Sequence, residues 1–154
     1  MKKRSNTRVF SVLVAIAAFV AIMCMFADLL SEEVASGEGN VFVAMFGMHG
    51  ESYRVIWPLV GGFVALIVLV GVAAFGFLAG DKAKKIIPLV EFVLGLAVGI
   101  LFFFAADFYV NINDLDALRN FGVTLGAGSI CVIVFSFLAA AIGALNFFVD
   151  RKSN

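Results

Sequence analysis

The sequence alternates between long apolar runs and short polar segments. Four apolar runs, each bounded by charged residues, lie at about 9–26, 55–79, 86–106 and 121–149. A membrane-spanning helix needs about 20 mostly apolar residues, because a rise of about 1.5 Å per residue must cover about 30 Å of hydrocarbon. The runs lack the alternation of strands, and a segment in lipid must satisfy its own backbone hydrogen bonds. The pattern predicts an all-α integral membrane protein, a four-transmembrane-helix bundle of up-down-up-down topology.

Composition agrees with this architecture. Of 154 residues, 63% are hydrophobic and 14% are charged, whereas soluble domains are about half apolar and about a quarter charged. The whole chain, 1–154, is therefore expected to form a single membrane domain with the lipid bilayer as its surroundings. Eleven basic and eleven acidic residues give no net charge, so nucleic acid is not expected as a partner.

Lysine and arginine fall on alternate sides of the predicted helices. Nine of the eleven flank the N-terminus, the loop at about 80–85 and the C-terminus: Lys2, Lys3, Arg4, Arg8, Lys82, Lys84, Lys85, Arg151 and Lys152. Cytoplasmic segments retain positive charge during insertion. Both termini are therefore predicted to be cytoplasmic in a multi-pass protein of the cell (plasma) membrane, with outer loops at about 27–54 and 107–120.

The N-terminal run has two interpretations. A basic segment followed by an apolar stretch is typical of a signal peptide, but the stretch of about 9–26 exceeds the usual length of about 7 to 15 residues. No small-x-small cleavage site follows closely near Ala27. We expect an uncleaved membrane anchor, with cleavage as the alternative.

The first outer loop contains a second apolar segment. Residues 41–46, Val-Phe-Val-Ala-Met-Phe, are rich in β-formers and too few to span a membrane, which predicts a short β segment or an interfacial segment. Tyr53 and Trp57 flank the start of the second span, where amphipathic rings favour the headgroup layer. We expect them to be anchors at the outer interface.

Small residues recur at four-residue spacing within the spans. The glycine pairs are Gly76 with Gly80, Gly95 with Gly99, and Gly122 with Gly126. Such spacing lines one helix face and allows two backbones to approach closely. Packing within the chain is the favoured interpretation and self-association the alternative; Gly95 and Gly99 are the best candidates for a central crossing.

Glu91 is the only acidic residue well inside a predicted span. An intramembrane carboxylate points to function, so Glu91 is a candidate polar site for a proton or an ion. It also follows Pro88 closely near the cytoplasmic side, where the helix dipole and Lys84 or Lys85 could compensate its charge. The sequence favours this charge-paired, interfacial interpretation.

The remaining reactive side chains are sparse. His49, the only histidine, lies in an outer loop without a second ligand in the sequence. Cys24 and Cys131 are expected to be buried free thiols, although a disulfide between them is an alternative that geometry decides. No metal-ligand spacing, nucleotide fingerprint or hydrolase motif is present. We predict no cofactor and no enzymatic activity.

Two short motifs accompany the four-span layout. Trp57-Pro58-Leu59 opens the second span, and Gly126-Ala127-Gly128 lies within the fourth. With its Phe-, Gly- and Ala-rich spans, the chain resembles small uncharacterised four-span membrane proteins of Gram-positive bacteria, a resemblance that implies no activity. Its topology alone is similar to that of claudin-like and tetraspan proteins. The first outer loop lacks the tryptophan and paired cysteines of claudins, so their junction function does not carry over.

These features predict a non-catalytic membrane protein that acts as an interaction, accessory or scaffold subunit. Its partner would be another membrane protein or a second copy of itself, met through the acidic outer loops or the helix faces. The alternative is an oligomeric pore or a small transport component, with Glu91 near its inner mouth.

Overall fold

The structure is a computed structural model that describes residues 7–31, 39–48, 53–78, 85–115 and 123–152. These residues are mostly helical. The helices are α1 (Thr7–Cys24), α2 (Val41–Met45), α3 (Trp57–Leu78), α4 (Ile87–Phe103), α5 (Ala105–Ile112) and α6 (Ala127–Lys152). Within the described ranges there is no strand, only the isolated bridges Asp28–Asn40 and Leu30–Leu125.

The four long helices contact one another in a ring. Helix α1 packs against α3 and α6, and α4 packs against the same two helices, whereas α1 and α4 barely touch. Helices that follow one another in sequence are therefore neighbours, and the ring closes where the last helix meets the first. Small and branched residues fill its centre, including Val14, Leu66, Val98 and Val132, which are all fully buried.

The outward faces of the helices are as apolar as the centre. Large hydrophobic side chains such as Phe19, Val68, Phe103 and Val134 are about half exposed or more. In water such a surface would favour aggregation, whereas lipid tails solvate it without penalty. The surface is that of a membrane protein.

Among the residues that the structure describes, two helices are long and apolar enough to cross a membrane, namely α3 and residues Ala127–Val149 of α6. Helices α4 and α5 would supply a third span if the pair, bent by 53°, is counted as one. The apolar part of α1, Arg8–Cys24, is shorter than these. Membrane crossing by all four long helices stays a prediction.

The predicted β segment is wrong, because residues Val41–Met45 form α2. The Asn40 side chain caps this helix by accepting a hydrogen bond from the Val43 N–H at 2.8 Å. Val41, Ala44 and Met45 are buried on one face, the spacing of a helix rather than of a strand. Capping and one-sided burial therefore outweigh the β propensity of the residues.

The fourth helix begins later than the apolar run predicts. Residues 123–126 are extended, and helix α6 starts at Ala127. The Ser31 N–H donates to Thr124 O at 3.1 Å, and the Gly126 N–H donates to Leu29 O at 2.8 Å. Hydrogen bonds to the segment after α1 thus replace the helical ones that an earlier start would make.

The third long helix ends at a bend instead of running straight to residue 106. Phe104 separates α4 from α5, and its N–H bonds back to Leu101 O at 3.3 Å. Helix α5 then lies against the end of the ring and buries Ala105, Tyr109 and Val110. A straight continuation of α4 would carry this apolar face away from the rest of the protein.

Candidate functional site

Glu91 lies in the second turn of α4 and is completely buried. Its side chain is among the largest that the described fold fully encloses. The sequence favours a charge-paired Glu91 near the cytoplasmic interface, whereas in the structure its side chain is enclosed by the helices. Lys84 is outside the described residues, and Lys85 is exposed.

Two polar side chains from other helices lie beside the carboxyl group: Ser11 of α1, across the ring, and Asn146 of the neighbouring α6. Ser11 is fully buried and Asn146 is 1% exposed. Ser11 is near the start of α1, Glu91 near the start of α4, and Asn146 near the end of α6. Antiparallel packing of neighbouring helices brings these positions to the same end of the ring. We call these three residues the polar cluster.

Two glycines make room for the polar cluster. A Cβ atom at Gly76 of α3 would lie 2.8 Å from Ser11 Oγ. A Cβ atom at Gly143 of α6 would lie 2.9 Å from the Phe92 nitrogen and 3.1 Å from Glu91 Cβ. All three distances are shorter than an ordinary van der Waals contact. Gly143 is one turn before Asn146, so the close approach of α6 to α4 also brings the Asn146 amide to Glu91.

The polar atoms of the cluster are incompletely bonded. Ser11 Oγ, both carboxylate oxygens of Glu91 and Asn146 Nδ2 are buried and make no hydrogen bond of standard geometry to the described residues. The one ion pair within the described ranges joins Arg54 to Asp114 elsewhere, so no described cation is paired with Glu91. Buried polar groups without partners are costly. Inside membrane helices they commonly mark a functional position.

Three of the predicted helix-packing glycines, Gly76, Gly95 and Gly99, face other helices of the same chain. Gly95 approaches the backbone of Ser136 and Ala140, and Gly99 lies against the ring of Phe137. Gly76 lies against Ser11 and Ile87. These contacts account for the three glycines without self-association. Gly80 and Gly122 lie outside the described residues.

Gly126 packs against backbone at the opposite end from the polar cluster. A Cβ atom there would lie 2.5 Å from the carbonyl oxygens of both Asp28 and Leu30. The four-residue spacing predicts that Gly126 shares one helix face with Gly122, but Gly126 precedes α6. Its role is to let the extended segments at residues 28–31 and 123–126 approach each other.

These segments belong to a packed structure that covers one end of the ring. We define the cap as residues 25–31, 39–48, 53–56, 105–115 and 123–126. Its buried side chains include Met25, Leu29, Met45, Ile56 and Tyr109, all fully enclosed. Leu29 O accepts hydrogen bonds from the Gly126 N–H and from Ser129 Oγ, each at 2.8 Å.

The two predicted interface anchors have different environments. Trp57, the first residue of α3, is 72% exposed, as expected of a ring in the headgroup layer. Tyr53 is half-buried and stacks on Tyr109 with ring centroids 6.2 Å apart. Tyr53 thus joins the cap, while Trp57 remains on the surface.

Ser11, Asn146 and Gly143 were not identified from the sequence. A signal for the first two was present, because each is a polar residue within an apolar run at the same depth as Glu91. Their convergence depends on how each helix is rotated about its axis. His49 lies outside the described residues, and Cys24 and Cys131 are half-buried free thiols.

Comparison with family models, curated proteins and solved structures gives no match to this chain.

Proposed function

We propose that this protein is a non-catalytic integral membrane protein that serves as an interaction, accessory or scaffold subunit. Its four long helices form an up-down-up-down bundle in the plasma membrane, with both termini in the cytoplasm and the cap outside. Its partner is another membrane protein with a basic outer surface. The observation that carries the proposal is the cap, which joins segments of both predicted outer loops in one packed unit.

The cap is held together by contacts between residues far apart in sequence. The Arg54 side chain pairs with Asp114 at 3.4 Å, and the Arg54 N–H donates to Asn113 Oδ1 at 2.8 Å. The hydroxyl groups of Ser31 and Thr124 are 2.6 Å apart. A surface ordered in advance loses little entropy when a partner binds. Such ordering supports recognition better than two independent loops would.

Charge on the cap gives the partner its expected chemistry. Asp28, Asp107 and Asp114 are exposed, and Arg54 is the exposed cation beside them. The described cap therefore presents more negative than positive charge. Complementary charge mainly sets orientation and association rate, and a basic patch on the partner would supply it.

The first test is crosslinking in the native membrane followed by purification and identification of the recovered proteins. The double variant Asp28→Lys, Asp107→Lys reverses charge on the cap, and Lys85→Glu is the matched reversal at the opposite end. We expect the cap variant to recover about tenfold less of the wild-type partner, a loss of about 1.4 kcal/mol, and Lys85→Glu to recover it normally.

Equal recovery by the cap variant and wild type would refute the cap as the recognition surface. Recovery of this chain alone, with no second protein, would refute the accessory role. Each variant must first elute from size exclusion as wild type does, so that misfolding is not mistaken for lost recognition.

Orientation has a separate test. In a Cys24→Ser, Cys131→Ser background, we would introduce Asp114→Cys in the cap or Lys85→Cys at the opposite end. A membrane-impermeant maleimide should label the first in intact cells and the second only after lysis. The reverse pattern would place the cap in the cytoplasm and refute the argument from basic flanks.

A second candidate function is an oligomeric pore or small transport component, which the polar cluster favours. A buried carboxyl group flanked by a hydroxyl and an amide from two other helices has the chemistry to bind a proton or a cation. This candidate predicts ion leakage from proteoliposomes that falls in Glu91→Gln. Tight liposomes at high protein density would refute it.

A further inference from the structure

Two thiols lie next to each other where α1 ends and α6 begins. Cys24 is the last residue of α1, and Cys131 lies in the second turn of α6. The two side chains are close enough to interact electrostatically. Both are half-buried and both are free. Neither contributes to the polar cluster, which is at the opposite end of the ring.

One turn away, the backbone that directly follows α1 approaches the backbone of α6 closely. The Gly128 N–H donates to Asp28 O at 2.9 Å, and a Cβ atom at Gly128 would clash with the Ala27 carbonyl oxygen. Any larger residue at 128 would separate the two segments.

Because of the helical spacing, the close approach at Gly128 also brings the two cysteines together. The Ala27 N–H donates to Cys24 O at 3.0 Å, which places Cys24 one turn below Ala27. Cys131 is likewise one turn beyond Gly128 and on the same helix face. Since neighbouring helices are antiparallel, both steps lead in the same direction, and the two thiols face each other across a narrow gap. A disulfide needs this kind of close, facing pair.

We infer that Cys24 and Cys131 form a redox-controlled covalent link between the first and last helices. Oxidation removes two protons and two electrons from the two thiols and forms one S–S bond. The electrons pass to a disulfide-type oxidant through a mixed disulfide, and the oxidant is reduced to its thiols. A dithiol reductant reverses the step.

The disulfide would hold together the two segments of the cap that adjoin Cys24 and Cys131. Cys24 leads directly into the segment at 25–31, and Cys131 follows the segment at 123–126. These are the segments joined by the hydrogen bonds of Leu29 and Ser31. This inference goes beyond the proposed function and does not rest on it, because the pair can close whichever face of the membrane it occupies.

The test uses the full-length protein in detergent, so membrane orientation does not enter. Protein reduced with dithiothreitol and freed of reductant is treated with oxidised glutathione, then denatured and alkylated with a polyethylene-glycol maleimide. We expect wild type to lose both alkylatable thiols while remaining a monomer and to regain both after dithiothreitol. Mass spectrometry should find the peptides of Cys24 and Cys131 joined.

A matched control moves one thiol by a single residue. The variant Cys131→Ser, Ile130→Cys keeps two cysteines, but residue 130 lies on an exposed face, and we expect both thiols to remain alkylatable or to carry glutathione. Wild-type protein that keeps two alkylatable thiols, carries only glutathione adducts, or links only to a second copy would overturn the inference. If the control variant forms an internal disulfide as readily as wild type, the inferred dependence on helical register is wrong.

Discussion

The contact between α4 and α6 at Gly95 makes the sharpest prediction of the structure. Replacing Gly95 with alanine adds a Cβ atom 2.8 Å from both the Ala140 nitrogen and the Ser136 carbonyl oxygen. Both atoms belong to the backbone of α6, so no side-chain rotation relieves the overlap. The two helices must therefore move apart, which should weaken the packing along their whole contact.

The size of the effect follows from a comparison with Gly71 of α3. A Cβ atom at Gly71 meets nothing within 4 Å, so alanine there gains only helix propensity, worth about 1 kcal/mol in water. Gly95→Ala gains the same propensity but adds overpacking, which typically costs about 1–3 kcal/mol. We expect Gly95→Ala to be about 2 kcal/mol less stable than Gly71→Ala, roughly a 30-fold change in the unfolding equilibrium.

The assay is reversible unfolding in mixed micelles, followed by pulse proteolysis of wild type and both variants. Gly61→Ala provides a second control, because its added Cβ atom also meets open space. If Gly95→Ala is as stable as Gly71→Ala, then α4 and α6 do not touch through their backbones at this position, and the arrangement of the ring is wrong.

The remaining predictions use the same unfolding assay. Ser129→Ala should lower the free energy of unfolding by about 1 kcal/mol, because it removes a buried hydrogen bond to Leu29 O. Ser31→Ala should lower it less, because the hydrogen bond between Ser31 and Thr124 is exposed to solvent. The opposite order would refute the buried role of Ser129. Arg54→Ala should cost less than about 1 kcal/mol, since both partners of its ion pair are largely exposed, and a larger loss would show a more enclosed pair. Glu91→Gln should have the same free energy of unfolding as wild type, whereas Glu91→Ala should lower it by about 2–3 kcal/mol because it leaves a cavity. Equal stability of the two variants would mean that residue 91 is not enclosed.

The sequence predicts the helices well because the length of an apolar run is a local property. It predicts their ends less well at the cap. Residues 123–126 are as apolar as those that follow, and their extended form depends on hydrogen bonds to Leu29 and Ser31, nearly a hundred residues earlier. The sequence around Phe104 contains no proline or glycine that would predict the bend.

The sequence at Val41–Met45 contains a signal that favours a helix. Its composition favours a strand, but Asn40 stands where a helix N-cap is preferred, and the buried residues have helical spacing. For the polar cluster, the sequence identifies Glu91 and not its neighbours. Ser11 and Asn146 lie on other helices, and only the rotation of those helices determines whether their side chains point toward the carboxyl group or toward lipid.

The closure of the ring between α1 and α6 has a consequence for biosynthesis. Helix α1 precedes the other described helices in the chain, yet one of its two packing neighbours is α6, the last of them. Until α6 is made, the side of α1 that carries Cys24 lacks the neighbour that it has in the complete ring. The ring therefore closes only after α6 has been synthesised, and a chain stopped before α6 would leave α1 half-packed and open to quality-control proteases.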